Sequence, residues 1–131
     1  MSANNKSSTT VAVVGSGTMG IGIAIVVARG GCRTLLYDAD RARCDQALTE
    51  IKKFLAGSVR RGKLDVKAAT EILARVHVAS SVAELSVVEL VIEAIFETIE
   101  IKADLYRAIH AVCSANTIFA SNTSTLSITR L

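Results

Sequence analysis

The feature that most constrains the fold is a glycine-rich hexapeptide between a short apolar run and a helical stretch. The apolar run is residues 11–14, and residues 15–20 have the spacing G-x-G-x-x-G. In such a turn Gly15 permits a tight bend, Gly17 lets phosphates approach the backbone, and Gly20 lets the helix lie close to the strand. The helix N-terminus, at Thr18 and Met19, adds N–H groups and a positive dipole end. We therefore interpret residues 15–20 as a turn that binds the phosphates of a dinucleotide, with these five residues as cofactor contacts.

The rest of the chain alternates short β-branched runs with helical patterns. Strands are predicted at residues 11–14, 34–37, 76–79, 90–92 (within 87–95) and 117–121. Helices are predicted at residues 19–29, 41–62, 64–75, 82–85 and 98–113. Gly22 and Ala24 are expected to prolong the close face of the first helix, and Ser80 and Ser81 to cap the brief one. The pattern predicts an α/β fold, a Rossmann-type doubly wound parallel sheet.

Asp38 follows the second predicted strand, where a dinucleotide fold places an acidic residue. A carboxylate there can accept hydrogen bonds from the ribose hydroxyls of the adenosine and would repel a 2′-phosphate. Arg41 and Arg43 lie close by in sequence, and an arginine in this loop can accommodate that phosphate. The balance favours NAD as the cofactor over NADP.

Composition excludes several other classes of protein. Half of the residues are apolar and 21% are charged, a balance typical of one globular domain. The net charge of +3 is spread along the chain, which does not favour nucleic acid. No apolar run approaches the roughly 18 residues that a membrane span needs. We expect residues 1–9 to be a disordered lead-in without a secretory signal, residues 10–131 to form the domain, and the location to be cytoplasmic.

The three cysteines show no C-x-x-C spacing. We interpret them as reduced structural thiols, and we expect no metal site.

Three separated stretches, residues 13–24, 91–97 and 118–128, resemble the N-terminal NAD-binding domain of the 3-hydroxyacyl-CoA dehydrogenases. The last stretch contains Ser-Asn-Thr-Ser and is the most specific. The resemblance implies NAD-dependent oxidation of 3-hydroxyacyl-CoA to 3-oxoacyl-CoA in fatty-acid metabolism (β-oxidation), an acyl-CoA substrate and a homodimeric full-length enzyme.

The resemblance also implies roles for individual residues. Glu97 and Lys102 correspond to residues that reach the nicotinamide ribose; the alternative is an exposed acid and a solvated helix lysine. Ser124 corresponds to a catalytic group that hydrogen-bonds the 3-oxygen of the substrate, and Asn122 to one that orders substrate and nicotinamide. The alternative for Asn122 and Ser124 is a turn with a helix cap, and both interpretations can hold at once.

Basic residues after the second strand, Arg60, Arg61 and Lys63, fall where the family's basic residues approach coenzyme A phosphates. A solvated basic helix end is the alternative that we favour.

The reaction needs a general base to take the proton from the 3-hydroxyl. In the family this base is a histidine in a G-x-H-F-F-N-P segment, which does not occur in residues 1–131. His77 and His110 lie in contexts that do not match it. We therefore expect cofactor binding with little or no turnover, and a sheet lacking its last strand and the C-terminal helical domain.

Two alternatives remain from the sequence. One is another β-hydroxyacid dehydrogenase, of the 6-phosphogluconate or 3-hydroxyisobutyrate type, which shares the glycine turn. The long helical insertion at residues 41–75 and the Ser-Asn-Thr-Ser segment speak against it. The other is a non-catalytic NAD-binding or structural module.

Overall fold

The computed structural model describes residues 9–95 and 99–121, and for residues 99–102 it describes the backbone alone. Five strands alternate with four α-helices and one 3₁₀ helix in this part of the chain. The strands are β1 (Thr10–Val14), β2 (Arg33–Tyr37), β3 (Val76–Val78), β4 (Leu90–Glu93) and β5 (Ile118–Ser121). The helices are α1 (Thr18–Arg29), α2 (Arg41–Arg60), α3 (Val66–Ala74), the 3₁₀ helix (Val82–Val87) and α4 (Ile99–Val112).

The five strands form one parallel sheet in the order β3-β2-β1-β4-β5. Val14 is aligned with Tyr37 on one side and with Glu93 on the other, and Glu93 is aligned with Ser121. The carboxyl ends of four strands therefore lie level at one edge. The strand order reverses between β1 and β4, where open α/β sheets bind ligands.

Helices cover both faces of the sheet, because alternate strand residues point to opposite sides. On one face, Val13 and Leu36 pack with buried residues of α1, α2 and α3. On the other face, Ala12 and Val91 pack with the 3₁₀ helix and α4. This arrangement confirms the predicted doubly wound α/β fold.

Helix α1 lies against the sheet through small residues spaced four apart. Gly20, Ala24 and Ala28 are buried, whereas Gly22 is exposed and a Cβ there would meet no atom within 4 Å. The expectation that Gly22 prolongs the close face was wrong, because two residues turn an α-helix by about 200°. The helix ends at Arg29, Gly30 is its C-cap residue, and Gly31 follows with a φ of +102°.

Aspartates begin the next two α-helices. The Asp40 side chain accepts hydrogen bonds from the amides of Ala42 and Arg43, and Asp65 accepts one from Ala68 N at 2.7 Å. Ser81 is the N-cap residue of the 3₁₀ helix, but the expected cap was wrong in that its side chain makes no capping hydrogen bond. Among the described residues, no helix is both long and apolar enough to cross a membrane.

Candidate functional site

The glycine turn, residues 15–20, connects β1 to α1 at the carboxyl edge of the sheet. Gly15 has a φ of +104°, and a Cβ there would lie 2.8 Å from the Ala94 carbonyl oxygen. A Cβ on Gly20 would lie 1.9 Å from the Gly15 carbonyl oxygen, so only glycine fits. A Cβ on Gly17 would meet no atom within 4 Å, which leaves open space in front of that backbone. The geometry shows the tight bend predicted at Gly15 and the close packing predicted at Gly20, and the phosphate contact predicted at Gly17 stays a prediction.

The N-terminus of α1 faces this open space. Gly17 is its N-cap residue, no side chain caps it, and its first turn has no acidic residue. The first backbone bond within the helix runs from Ile21 N to Gly17 O, at 2.9 Å. The positive end of the helix dipole at this N-terminus favours an anion.

Asp38 lies beside the glycine turn, just past the end of β2. Its Oδ2 accepts hydrogen bonds from Ser16 N at 3.0 Å and from Ser16 Oγ at 2.7 Å. Its Oδ1 accepts one from Asp40 N at 2.9 Å. Oδ2 is thus engaged by the turn, and Oδ1 has a lone pair that can accept from a ribose hydroxyl. Asp38 therefore fixes the turn and also lines the groove beside it.

Sequence reasoning missed Ser16, which is buried in this arrangement. It occupies a variable position of the motif, and its contact with Asp38 joins residues from two strand ends. Nothing in the local pattern of the sequence indicates that contact.

Arg43 also stands at this edge. Its Nη1 lies 3.9 Å from Asp38 Oδ2, and its side chain is 53% exposed. Asp38 and Arg43 line a groove of about 180 Å³ together with Gly15, Ile95 and Leu105. The Arg43 guanidinium therefore adds a positive charge beside the Asp38 carboxylate.

A second groove, of about 470 Å³, lies on the α2 side of the turn. Its lining residues include Ser16, Thr18, Gln46 and Phe54, and Arg43 lines both grooves. The glycine turn is therefore accessible from two sides.

Glu93 is a second candidate functional residue. It lies in the stretch 91–97 that resembles the family, but the sequence analysis gave it no role. It ends β4, is buried, and accepts hydrogen bonds from Ile95 N and, at 2.6 Å, from Ser121 Oγ. An acidic residue in an otherwise apolar strand run was the signal available in the sequence.

Two buried groups beneath the edge have raised pKa values. Burial, reinforced by the negative charges of Asp38 and Asp45, raises the pKa of the Cys44 thiol to about 11. Burial, with a smaller effect of the Glu93 carboxylate, raises the pKa of Tyr106 to about 12. Both groups are neutral at pH 7. All three cysteines are free thiols.

Several residues implied by the resemblance lie outside the described residues, namely Glu97, Asn122 and Ser124. Lys102 belongs to the first turn of α4, and only its backbone is described. The contacts predicted for these four side chains stay predictions.

Other basic residues stand away from the glycine turn. Arg60, Arg61 and Lys63 are exposed at the far end of α2, a helix of 20 residues that spans about 30 Å. His77 is exposed on the edge strand β3, and the His110 ring stacks on Phe119 with centroids 3.9 Å apart. The described structure brings none of these residues to the groove beside Asp38.

Comparison with known proteins places this geometry in a family. Residues 10–131 match the family model described as "3-hydroxyacyl-CoA dehydrogenase, NAD binding domain". The chain is 40% identical over 122 residues to a 3-hydroxyadipyl-CoA dehydrogenase of Escherichia coli, covering 93% of this chain and 26% of that protein. It is 36% identical to a 3-hydroxybutyryl-CoA dehydrogenase of Clostridioides difficile, covering 92% of this chain and 43% of that protein.

A solved structure has the same fold. The crystal structure of a 3-hydroxybutyryl-CoA dehydrogenase from Escherichia coli K12 superposes with a TM-score of 0.85 at 39% identity. The match covers 89% of this chain and 25% of that one. The chain thus spans between a quarter and about two fifths of the length of these relatives.

Proposed function

This chain belongs to the family of the 3-hydroxyacyl-CoA dehydrogenase NAD-binding domain, and we propose that it holds the NAD of an enzyme that oxidises 3-hydroxyacyl-CoA to 3-oxoacyl-CoA. NAD is the cofactor that the family description names. The substrate class follows from the relatives, which are named as dehydrogenases of 3-hydroxyadipyl-CoA and 3-hydroxybutyryl-CoA. Acyl-CoA is therefore the proposed substrate of the whole protein.

The observation that best supports the proposal is the position of Asp38 against the glycine turn. The backbone N–H of Ser16 donates a hydrogen bond of 3.0 Å to Oδ2 of Asp38, at the point where the strand order of the sheet reverses. The backbone at Gly17 and the N-terminus of α1 would hold the pyrophosphate. The free lone pair of Asp38 Oδ1 would accept from the adenosine ribose, and the negative charge would disfavour a 2′-phosphate.

The remaining roles follow the family resemblance. When bound, NAD accepts the hydride from C3 of the substrate. Glu97 and Lys102 are proposed to orient the nicotinamide ribose, Ser124 to hydrogen-bond the 3-oxygen, and Asn122 to order the two reactants. We assign the general base to neither His77 nor His110, so this chain alone is proposed to bind cofactor with little or no turnover.

Assembly of the whole protein as a homodimer and its location in the cytoplasm stay predictions. The first is supported by the family resemblance.

The proposal is tested by calorimetric titration of the chain with NADH and separately with NADPH. We expect NADH to bind more tightly, and Asp38→Ala to weaken NADH binding about tenfold or more, because a hydrogen bond to a charged acceptor is lost. Asp38→Ala should also reduce the ratio of NADH affinity to NADPH affinity. The carboxylate that would repel the 2′-phosphate is then absent, and the neighbouring Arg43 can accommodate that phosphate.

Asp45→Ala is the matched control, because Asp45 is an exposed carboxylate on α2 that pairs with Arg41. It removes the same charge without touching the turn and should leave both affinities unchanged. A folded wild-type chain that binds neither dinucleotide would contradict the proposal.

A further inference from the structure

Glu93 is a buried carboxylate that the proposed function leaves without a role. It is the last residue of β4 and is 1% exposed. Removing a carboxylate from water costs several kcal/mol unless donors compensate. An apolar residue would fill the same volume of this strand without that cost. Two donors to this carboxylate lie in the described part of the chain, and their positions suggest its role.

The donors come from two different segments. Ile95 N donates to Oε2 and belongs to the chain that leaves β4. Ser121 Oγ donates to Oε1 at 2.6 Å and is the last residue of β5. Glu93 and Ser121 are also aligned in the sheet register. One carboxylate therefore joins the carboxyl ends of two neighbouring strands.

The neighbouring Tyr106 adds no negative charge beside Glu93. Tyr106, buried on the α4 side, has a pKa raised to about 12 by its burial and secondly by Glu93. It therefore stays neutral at physiological pH and adds no second negative charge. The carboxylate can then hold both donors through charge-assisted hydrogen bonds, which are stronger and more directional than neutral ones.

The two segments joined by Glu93 run directly into the residues proposed for the nicotinamide half of the cofactor. Glu97 follows Ile95 by two residues, and Asn122 follows Ser121. We propose that Glu93 is a positioning residue: by bonding Ile95 N and Ser121 Oγ, it sets where these segments leave the sheet, and so controls binding of the nicotinamide half without touching it. This inference rests on the proposed function.

The test compares NADH with ADP, which lacks the nicotinamide and its ribose but retains the adenosine and the phosphates. Calorimetric affinities are measured for the wild-type chain, Glu93→Gln and Ser121→Ala. Glu89→Gln is the matched control, because Glu89 is an exposed glutamate just before the opposite end of β4, where it bonds Thr10 N at 3.2 Å. Thermal unfolding verifies that each variant is folded.

We expect Glu93→Gln to lower the affinity for NADH about tenfold and to change the affinity for ADP by less than about twofold. Glu89→Gln should change neither affinity. Ser121→Ala should shift the NADH-to-ADP ratio in the same direction, and Ser121→Thr, which keeps the hydroxyl, should restore it. The serine pair tests the inference even if Glu93→Gln does not fold.

The inference is overturned if folded Glu93→Gln and Ser121→Ala keep the wild-type ratio, or if they lose NADH and ADP equally, as a purely structural role requires. A wild-type chain that binds NADH no better than ADP also overturns it while leaving the dinucleotide site intact. If the folded wild-type chain binds neither molecule, the proposed function itself fails and the inference fails with it.

Discussion

Two sides of the carboxyl edge are built differently. The turn side, at the ends of β1 and β2, consists of the glycine turn and Asp38, and backbone geometry fixes it: a Cβ on Gly20 would lie 1.9 Å from Gly15 O. The Glu93 side, at the ends of β4 and β5, consists of Glu93, Ile95 and Ser121, and one buried carboxylate fixes it. A side fixed by backbone contact tolerates almost no added atom, whereas a side fixed by hydrogen bonds can lose one and stay folded.

The largest effect is expected from Gly20→Ala, which places a methyl group against the backbone of Gly15. We expect the free energy of unfolding to fall by about 3 kcal/mol, at the upper end of overpacking effects, and NADH binding to be lost. Denaturant unfolding and calorimetry measure the two. Retention of both by Gly20→Ala would show that the turn is not fixed by this contact.

Gly17→Ala is the matched variant, because a Cβ there meets no atom within 4 Å. The free energy of unfolding should change by less than about 1 kcal/mol. NADH affinity should fall about tenfold, because the methyl group occupies the space through which phosphates approach. Equal destabilisation by both alanines would remove the distinction between a packing glycine and a ligand-facing one.

An intermediate effect is expected from alkaline pH, which should lower the free energy of unfolding as thiols with raised pKa values lose their protons. The folded-state pKa of Cys44, about 11, lies above its ordinary value of 9.0, so the unfolded chain releases this proton at lower pH. The contribution of the protonated Cys44 thiol to the free energy of unfolding is fully present below pH 9.0. It is lost as the pH rises towards 11, at about 1.4 kcal/mol per pH unit.

Urea unfolding at several pH values measures this slope. Cys44→Ala should reduce the part of the slope that begins near pH 9, and Cys113, whose pKa burial also raises above 9.0, contributes the rest of that part. Tyr106→Phe, beneath the Glu93 side, should alter the curve only above pH 10. A slope that persists unchanged in Cys44→Ala would assign it to another group.

The smallest effect is expected from Ser16→Ala, which removes the 2.7 Å bond from Ser16 Oγ to Asp38 and leaves the bond from Ser16 N. Loss of about 1 kcal/mol corresponds to roughly a fivefold weaker NADH affinity. Ser7→Ala, in the predicted lead-in, is a control for the same chemical change. If Ser16→Ala weakens NADH binding as strongly as Asp38→Ala, the hydroxyl contacts the ligand directly rather than holding Asp38.

The sequence by itself determined the fold class, because the strand and helix periodicities, the turn chemistry and the close approach of α1 at Gly20 are all local. It also predicted Asp38 at the end of the second strand, and the residue that follows β2 lies next to the glycine turn in any sheet of this order. The ends of the elements differ by one or two residues, as at α3, where Asp65 caps a helix starting at Val66 rather than Leu64.

Tertiary structure alone decided which polar groups meet. Ser16 reaches Asp38 across two strand ends, and Glu93 reaches Ser121 across 28 residues of sequence. It also showed that Gly22 faces solvent, although its place beside Gly20 suggested close packing. Periodicity specifies which face of an element is apolar, but hydrogen-bond partners depend on strand order and register, and these are set by the packing of the whole sheet.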